Sequence, residues 1–197
     1  MTSPVEVISF HDIADIYGLR EVQRAIRTQY DIIDRNRGPL SDYDIETSSY
    51  YPDLASYRSD IHASLDGDIP TSVDRNDIHA DFRIIKVGSM VVGGLDVMTP
   101  VGPIALPNMR TIGYYLDVDR GFTGKGYATE AARFVIEDLM EDLDIDTIDA
   151  YTHPMNEKSQ AVLLRSGLNL ARSQPYANMR RFEITRRMFN DLGVTQA

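Results

Sequence analysis

The chain contains no cysteine, so disulfide frameworks, thiolate metal sites and a cysteine nucleophile are excluded. It also lacks any run of about 18 apolar residues, the least that spans a bilayer as a helix. The opening Met1-Thr2-Ser3-Pro4-Val5-Glu6 has neither the basic region nor the apolar core of a secretory signal. A cytoplasmic location is therefore expected, with no membrane partner and no metal. Basic charge is scarce: 20 Lys and Arg stand against 30 Asp and Glu, a net charge of −10. That balance disfavours nucleic acid as a partner and favours the approach of cationic amines. Repeats and low-complexity segments are missing too. What remains, 197 residues with 43% hydrophobic content, suits a single domain over residues 1–197.

Apolar periodicity divides the chain into strands and helices. Residues 5–10 read as a strand, and Asp12 as the cap of a helix whose stripe is Ile13, Ile16, Tyr17, Val22, Ile26, Tyr30 and Ile33, ended by Gly38-Pro39. A second helix is expected over 53–65, with Leu54, Tyr57, Ile61 and Leu65 on one side. Tyr43, Tyr50, Tyr51 and Tyr57 are candidates to line a pocket, or simply to pack. Residues 80–87 and 90–98 form a hairpin about Gly88-Ser89. A strand over 110–118 follows, then a helix carrying Ala128, Ala131, Ala132, Val135, Ile136, Leu139 and Leu143. A strand at 147–152, a helix at 156–166 stopped by Gly167, and strands at 168–172 and 180–185 complete a mixed α/β domain. The arginines at 180, 181, 186 and 187 read as solvent-facing.

Between the strand ending near Val118 and the helix starting near Ala128 lies Asp119-Arg120-Gly121-Phe122-Thr123-Gly124-Lys125-Gly126-Tyr127. Glycines at a strand-to-helix junction let backbone approach a ligand, and a helix start offers free N–H groups to an anion. The P-loop pattern fails, because Tyr127 stands where Lys is needed after Gly126. The dinucleotide fingerprint fails as well, with Thr129 in place of its third glycine. The run from Thr123 to Ala131 instead resembles the pyrophosphate loop of the GNAT superfamily of acetyl-CoA-dependent N-acetyltransferases, Q/R-x-x-G-x-G/A, often extended as RGKGYATEA. Thr123 replaces the usual Gln or Arg, which leaves Lys125 or Arg120 to compensate. A second resemblance follows at the right distance. Residues 156–168 are similar to the N-x-x-S-x-x-V-L-x-K-x-G-F pattern of the ribosomal-protein N-terminal acetyltransferase-like group, with Arg165 for Lys and Leu168 for Phe.

The resemblance implies a GNAT-type fold, a central, mostly antiparallel twisted sheet flanked by helices, with residues 36–79 as an acceptor-side insertion. It implies that acetyl-CoA is held by Thr123, Gly124, Lys125, Gly126, Tyr127, Ala128 and Thr129, and by backbone groups of Leu116, Asp117 and Val118. Asn156 is expected either to cap its helix or to touch the pantetheine or acceptor as well. Ser159 is expected to bind cofactor or return a proton to the leaving thiolate, or to pack as a small residue. His153 is a candidate proton acceptor or an ordinary loop histidine. The usual acid and base positions of the family hold Leu163 and Thr111, so Asp96, Asp117 and His153 stand as candidates, with a water chain as the alternative. The implied activity is direct acetyl transfer to a primary amine of a small molecule, peptide or protein N-terminus, by an enzyme of a family in which homodimers are common. The alternatives are a non-catalytic acyl-CoA-binding domain on the same fold, or a nucleotide-binding protein using the same loop.

Overall fold

The computed structural model describes residues 4–37, 53–65, 78–100, 106, 108–174 and 178–193. Strand β1 (Val5–Ser9) gives way at once to helix α1 (Phe10–Tyr17). The cap is Ser9 rather than Asp12: Ser9 Oγ accepts from the Asp12 N–H at 3.0 Å, and Asp12 answers as the third helical residue by accepting from the Ser9 N–H. This reciprocal capping box is worth about 1 kcal/mol. Ser9→Ala should therefore lower the unfolding free energy by about that amount, read from urea denaturation.

The single long helix read from the apolar stripe is two. Gly18, at φ 80°, breaks it, and helix α2 (Leu19–Arg35) starts afresh after it, burying Val22, Ala25, Ile26, Gln29, Ile32 and Ile33. Ile16 and Tyr17, placed on the stripe by periodicity, lie exposed at the break. Helix α3 (Leu54–Leu65) buries Tyr57 and Ile61. Tyr43, Tyr50 and Tyr51 fall outside the described residues.

Helices α1 to α3 cover one face of the sheet, packing on Phe82 and Ile84 of strand β2 (Ile78–Val87) and on Tyr115 of β4 (Met109–Leu116). Between these runs β3 (Met90–Pro100). The opposite face is covered by α4 (Tyr127–Glu141) and α5 (Glu157–Arg165) over Leu95, Val97 and Ile112 and over residues of β5 (Thr147–Thr152) and β7 (Arg180–Thr185). Ala131 and Ala132 let α4 lie close on the sheet. Leu143, read as helical, lies exposed beyond its end. Strand β6 (Asn169–Leu170) is shorter than its apolar run suggested, and α6 (Arg186–Asp191) closes the described fold. Two of the arginines read as solvent-facing are structural. Arg186 donates to the carbonyls of Met140, Asp142 and Ile145 at the end of α4. Arg181 is bound into the sheet face by Asp149.

The sheet has seven strands in the order β1-β2-β3-β4-β5-β7-β6. Every pairing is antiparallel except β4 with β5. That parallel pairing holds for three rungs only, Met109 with Thr147, Arg110 with Ile148 and Thr111 with Asp149. Past Thr111, β4 runs on to Leu116 while β5 stays with β7, so the sheet opens into a wedge.

Candidate active site

The glycine loop sits at the mouth of this wedge. Gly121, Gly124 and Gly126 have φ of 68°, 75° and 88°, a region L-residues enter only with strain. Among the described residues a Cβ on Gly121 or Gly124 would meet nothing within 4 Å, so backbone conformation, not space, demands glycine there. Gly126 is the N-cap of α4 and supplies no side-chain acceptor. The first-turn N–H groups of α4, those of Tyr127, Ala128 and Thr129, are therefore presented uncapped at the positive end of the helix, where phosphate oxygens bind well. Lys125 Nζ rests 5.2 Å from the Phe122 ring centroid, and Arg120 Nε lies 3.7 Å from Asp117 Oδ2. Both cations thus stand on the loop that Thr123 leaves short of one. Gly126→Val would force a β-branched residue to positive φ, a strain of about 1–3 kcal/mol. Coenzyme A should then bind more than tenfold more weakly in calorimetric titration.

The start of the loop is fastened from the other side of the molecule by a residue that no motif marked. Asn36, fully buried just past the end of α2, donates to the Ile32 carbonyl and to Asp117 Oδ1, and accepts from the N–H groups of Val118 and Asp119 at 2.9 and 3.0 Å. Arg35 adds an ion pair to Asp117 Oδ2 at 2.9 Å. Burial alone would raise the Asp117 carboxyl, but hydrogen bonds from Asn36, Arg35 and the Arg120 N–H outweigh it and hold the group below the ordinary carboxylate range. Asp117 is thus a locked anion and does not fit the role of base. Its N–H donates to the Val92 carbonyl, and that of Val118 is taken by Asn36. Of the three residues at the strand end, Leu116 alone has its N–H turned by strand alternation towards the open wedge.

In the second motif, Asn156 is the N-cap of α5, its Oδ1 accepting from the Ser159 N–H at 3.1 Å. Ser159 itself meets Tyr114, whose hydroxyl is 2.9 Å from Ser159 Oγ and 3.1 Å from its carbonyl oxygen. His153 Nδ1 accepts the Met155 N–H at 3.2 Å. The family's acid position, Leu163, is core. Its base position, Thr111, donates to Asp149 Oδ1 at 2.6 Å. That carboxylate, fully buried, is also met by Tyr151 and Arg181.

Asp96 differs from both locked carboxylates. Register places it between Phe82 and Gly113 on the face covered by α1 to α3, and no basic side chain among the described residues pairs with it. Burial, with a smaller contribution from the Asp81 charge, pushes it up to about 7. On β4, Gly113 leaves room beside it: among the described residues a Cβ there would meet only Met98, at 3.8 Å. One strand spacing of about 4.8 Å separates Asp96 from the strand that borders the wedge.

A wedge between parallel strands, with uncapped helical N–H groups behind glycines at its mouth, pairs an open strand edge with an anion-binding helix start. A family model described as "Acetyltransferase (GNAT) domain" matches residues 69–169, just over half of the chain, and the chain belongs to that family of acetyl-CoA-dependent N-acetyltransferases. Solved structures agree in fold. A ribosomal L7/L12 α-N-protein acetyltransferase, RimL, bound to coenzyme A is 16% identical with a TM-score of 0.64, over 83% of this chain and 89% of that one. The acetyltransferase AAC(6')-Ib with paromomycin and acetyl-CoA is 16% identical at 0.65, over 100% of both chains. The microcin C7 self-immunity acetyltransferase MccE with acetyl-CoA and AMP is 19% identical at 0.60, over 82% and 87%. No curated protein matches the chain in sequence. No helix among the described residues is long and apolar enough to cross a membrane.

Proposed function

We propose that this protein transfers an acetyl group from acetyl-CoA directly to a primary amine carried by a small molecule, a peptide or a protein N-terminus, in the cytoplasm. The observation that carries the reading is the wedge: β4 and β5 part after Thr111 and Asp149, and the uncapped start of α4 lies at the opening. Acetyl-CoA supplies an activated thioester, so no covalent enzyme intermediate is needed.

The N–H groups of Tyr127, Ala128 and Thr129 take the pyrophosphate, with Gly124 and Gly126 giving backbone access and Thr123 and Lys125 at the rim. The Leu116 N–H polarises the thioester carbonyl, a type of contact worth roughly 3 kcal/mol where removed from other enzymes. Asp96 takes the amine proton through the space over Gly113, since a base poised near 7 works well at neutral pH. An α-amino group of pKa near 8 costs little more than about 1 kcal/mol to present neutral at pH 7, and a lysine-like amine roughly 4 to 5. Ser159 hydrogen-bonds the sulfur as it leaves, with Asn156 fixing the turn that carries it. Residues 36–79 form the acceptor side, supported by α3 packing Tyr57 edge-on against Phe82, the cross-strand partner of Asp96.

Thiol release from acetyl-CoA across a panel of amines tests the reading. Saturable release with at least one amine class supports it. Tight coenzyme A binding with no turnover of any amine or protein extract would leave the non-catalytic domain in its place.

A further inference from the structure

We propose that Tyr114 is a positioning residue for the leaving group: its phenol donates to Ser159 Oγ and thereby aims the serine proton at the departing sulfur. The inference rests on the acetyltransferase reading and deepens it at the family's vacant acid position. Tyr114 lies on β4 beyond the last parallel rung, so its side chain crosses to the first turn of α5 where the sheet has opened. There its hydroxyl has two acceptors within reach, the Ser159 carbonyl at 3.1 Å and Ser159 Oγ at 2.9 Å.

A phenol has one proton to give and a serine hydroxyl has one. If Tyr114 donates to the carbonyl, Ser159 must donate to the phenol oxygen, and its proton is spent. If Tyr114 donates to Oγ, the Ser159 O–H is free to point elsewhere and is strengthened as a donor by the bond it accepts. Developing negative charge on sulfur selects the second arrangement. Burial raises the Tyr114 phenol well above its ordinary value, so it keeps its proton throughout and acts as a donor, not an acid. The carbon–sulfur bond breaks with its electron pair on sulfur. Ser159 hydrogen-bonds that thiolate without losing its proton, the amine proton goes to Asp96, and Asp96 gives it up through solvent to the thiolate, which leaves as the thiol.

The test compares Tyr114→Phe, Ser159→Ala and the double variant by two readouts: kcat with saturating acetyl-CoA, and the thiol pKa of bound coenzyme A, followed by thiolate absorbance against pH. Each single variant should lower kcat about tenfold and raise the bound thiol's pKa by about one unit. KM for acetyl-CoA should stay within twofold, and the double variant should be no worse than Ser159→Ala. An undiminished effect of Tyr114→Phe in the Ser159→Ala background, or a change in KM or melting temperature alone, would overturn the link. A Ser159→Ala variant with unchanged kcat and thiol pKa would remove the serine's role and this inference with it, while leaving acetyl transfer itself measurable.

Discussion

Asp96→Asn should lower kcat about 10²- to 10⁴-fold, the span that a positioned base contributes, while making the folded protein more stable above neutral pH. Asn is close to isosteric with the protonated acid, so the fold loses little. The wild-type kcat/KM should rise with pH through an ionisation near 7, the position to which burial moves Asp96, and Asp96→Asn should erase that limb while leaving the acceptor amine's own ionisation in place. Stability runs the other way. Between the unfolded value near 3.9 and the folded value near 7, the native state holds the proton that the unfolded chain has lost, so stability falls as pH rises across that window, by roughly 4 kcal/mol at most. Urea unfolding at pH 5 and pH 8 should therefore show wild-type losing stability that Asp96→Asn keeps. Unchanged turnover, or parallel pH profiles of stability, would take Asp96 out of the mechanism.

Asn36→Ala should cost about 3 kcal/mol or more, because it strips acceptors from two backbone N–H groups and a donor from a buried carboxylate at once. It should also weaken acetyl-CoA binding at least tenfold under conditions where the variant is still folded, with kcat at saturating donor within a few-fold of wild-type. The split follows from position: Asn36 holds the entrance of the glycine loop through Val118, Asp119 and Asp117 and hydrogen-bonds neither Asp96 nor Ser159. Asn36→Asp would set a second carboxylate against Asp117 and should be worse at pH 8 than at pH 5. Denaturation and calorimetric titration of the three proteins check this. Equal donor affinity in folded Asn36→Ala would mean that the loop holds its shape without the bracket. Asp117 itself contributes stability above about pH 4 that is lost as pH falls through its depressed folded value, opposite in sign to Asp96.

The strands, the long helix after the loop and both motif helices were legible because each has apolar residues at one clear period and Gly, Pro or Asn at its ends. Two things escaped. Gly18 breaks the first helix without disturbing the spacing of the stripe on either side, so periodicity joined what backbone conformation divides. The partnerships escaped too. Asn36 with Asp117, Tyr114 with Ser159, and Asp149 with Thr111 and Arg181 join residues far apart in sequence, and nothing in the local pattern of any one names the other. Asn36 reads only as a residue near a helix end. The choice among the base candidates was likewise invisible, since Asp96 and Asp117 are the same side chain and differ by what surrounds them. One is half-buried beside Phe82 and Gly113 with no basic partner among the described residues, the other saturated with donors.

Three rungs between β4 and β5 are few to join the strands β1–β4 to the strands β5–β7. A donor lying along the open edge of β4 would replace part of the missing ladder, so the substrate becomes a structural member of the sheet it reacts in. The free protein should then breathe along this seam, with the amides of Tyr114 and Leu116, which face the open edge, exchanging earlier than those of Gly113 and Tyr115, which are held in the β3 ladder. Each turnover would close the seam with the donor and loosen it again when the spent carrier departs, coupling the rhythm of catalysis to the mechanical integrity of the sheet.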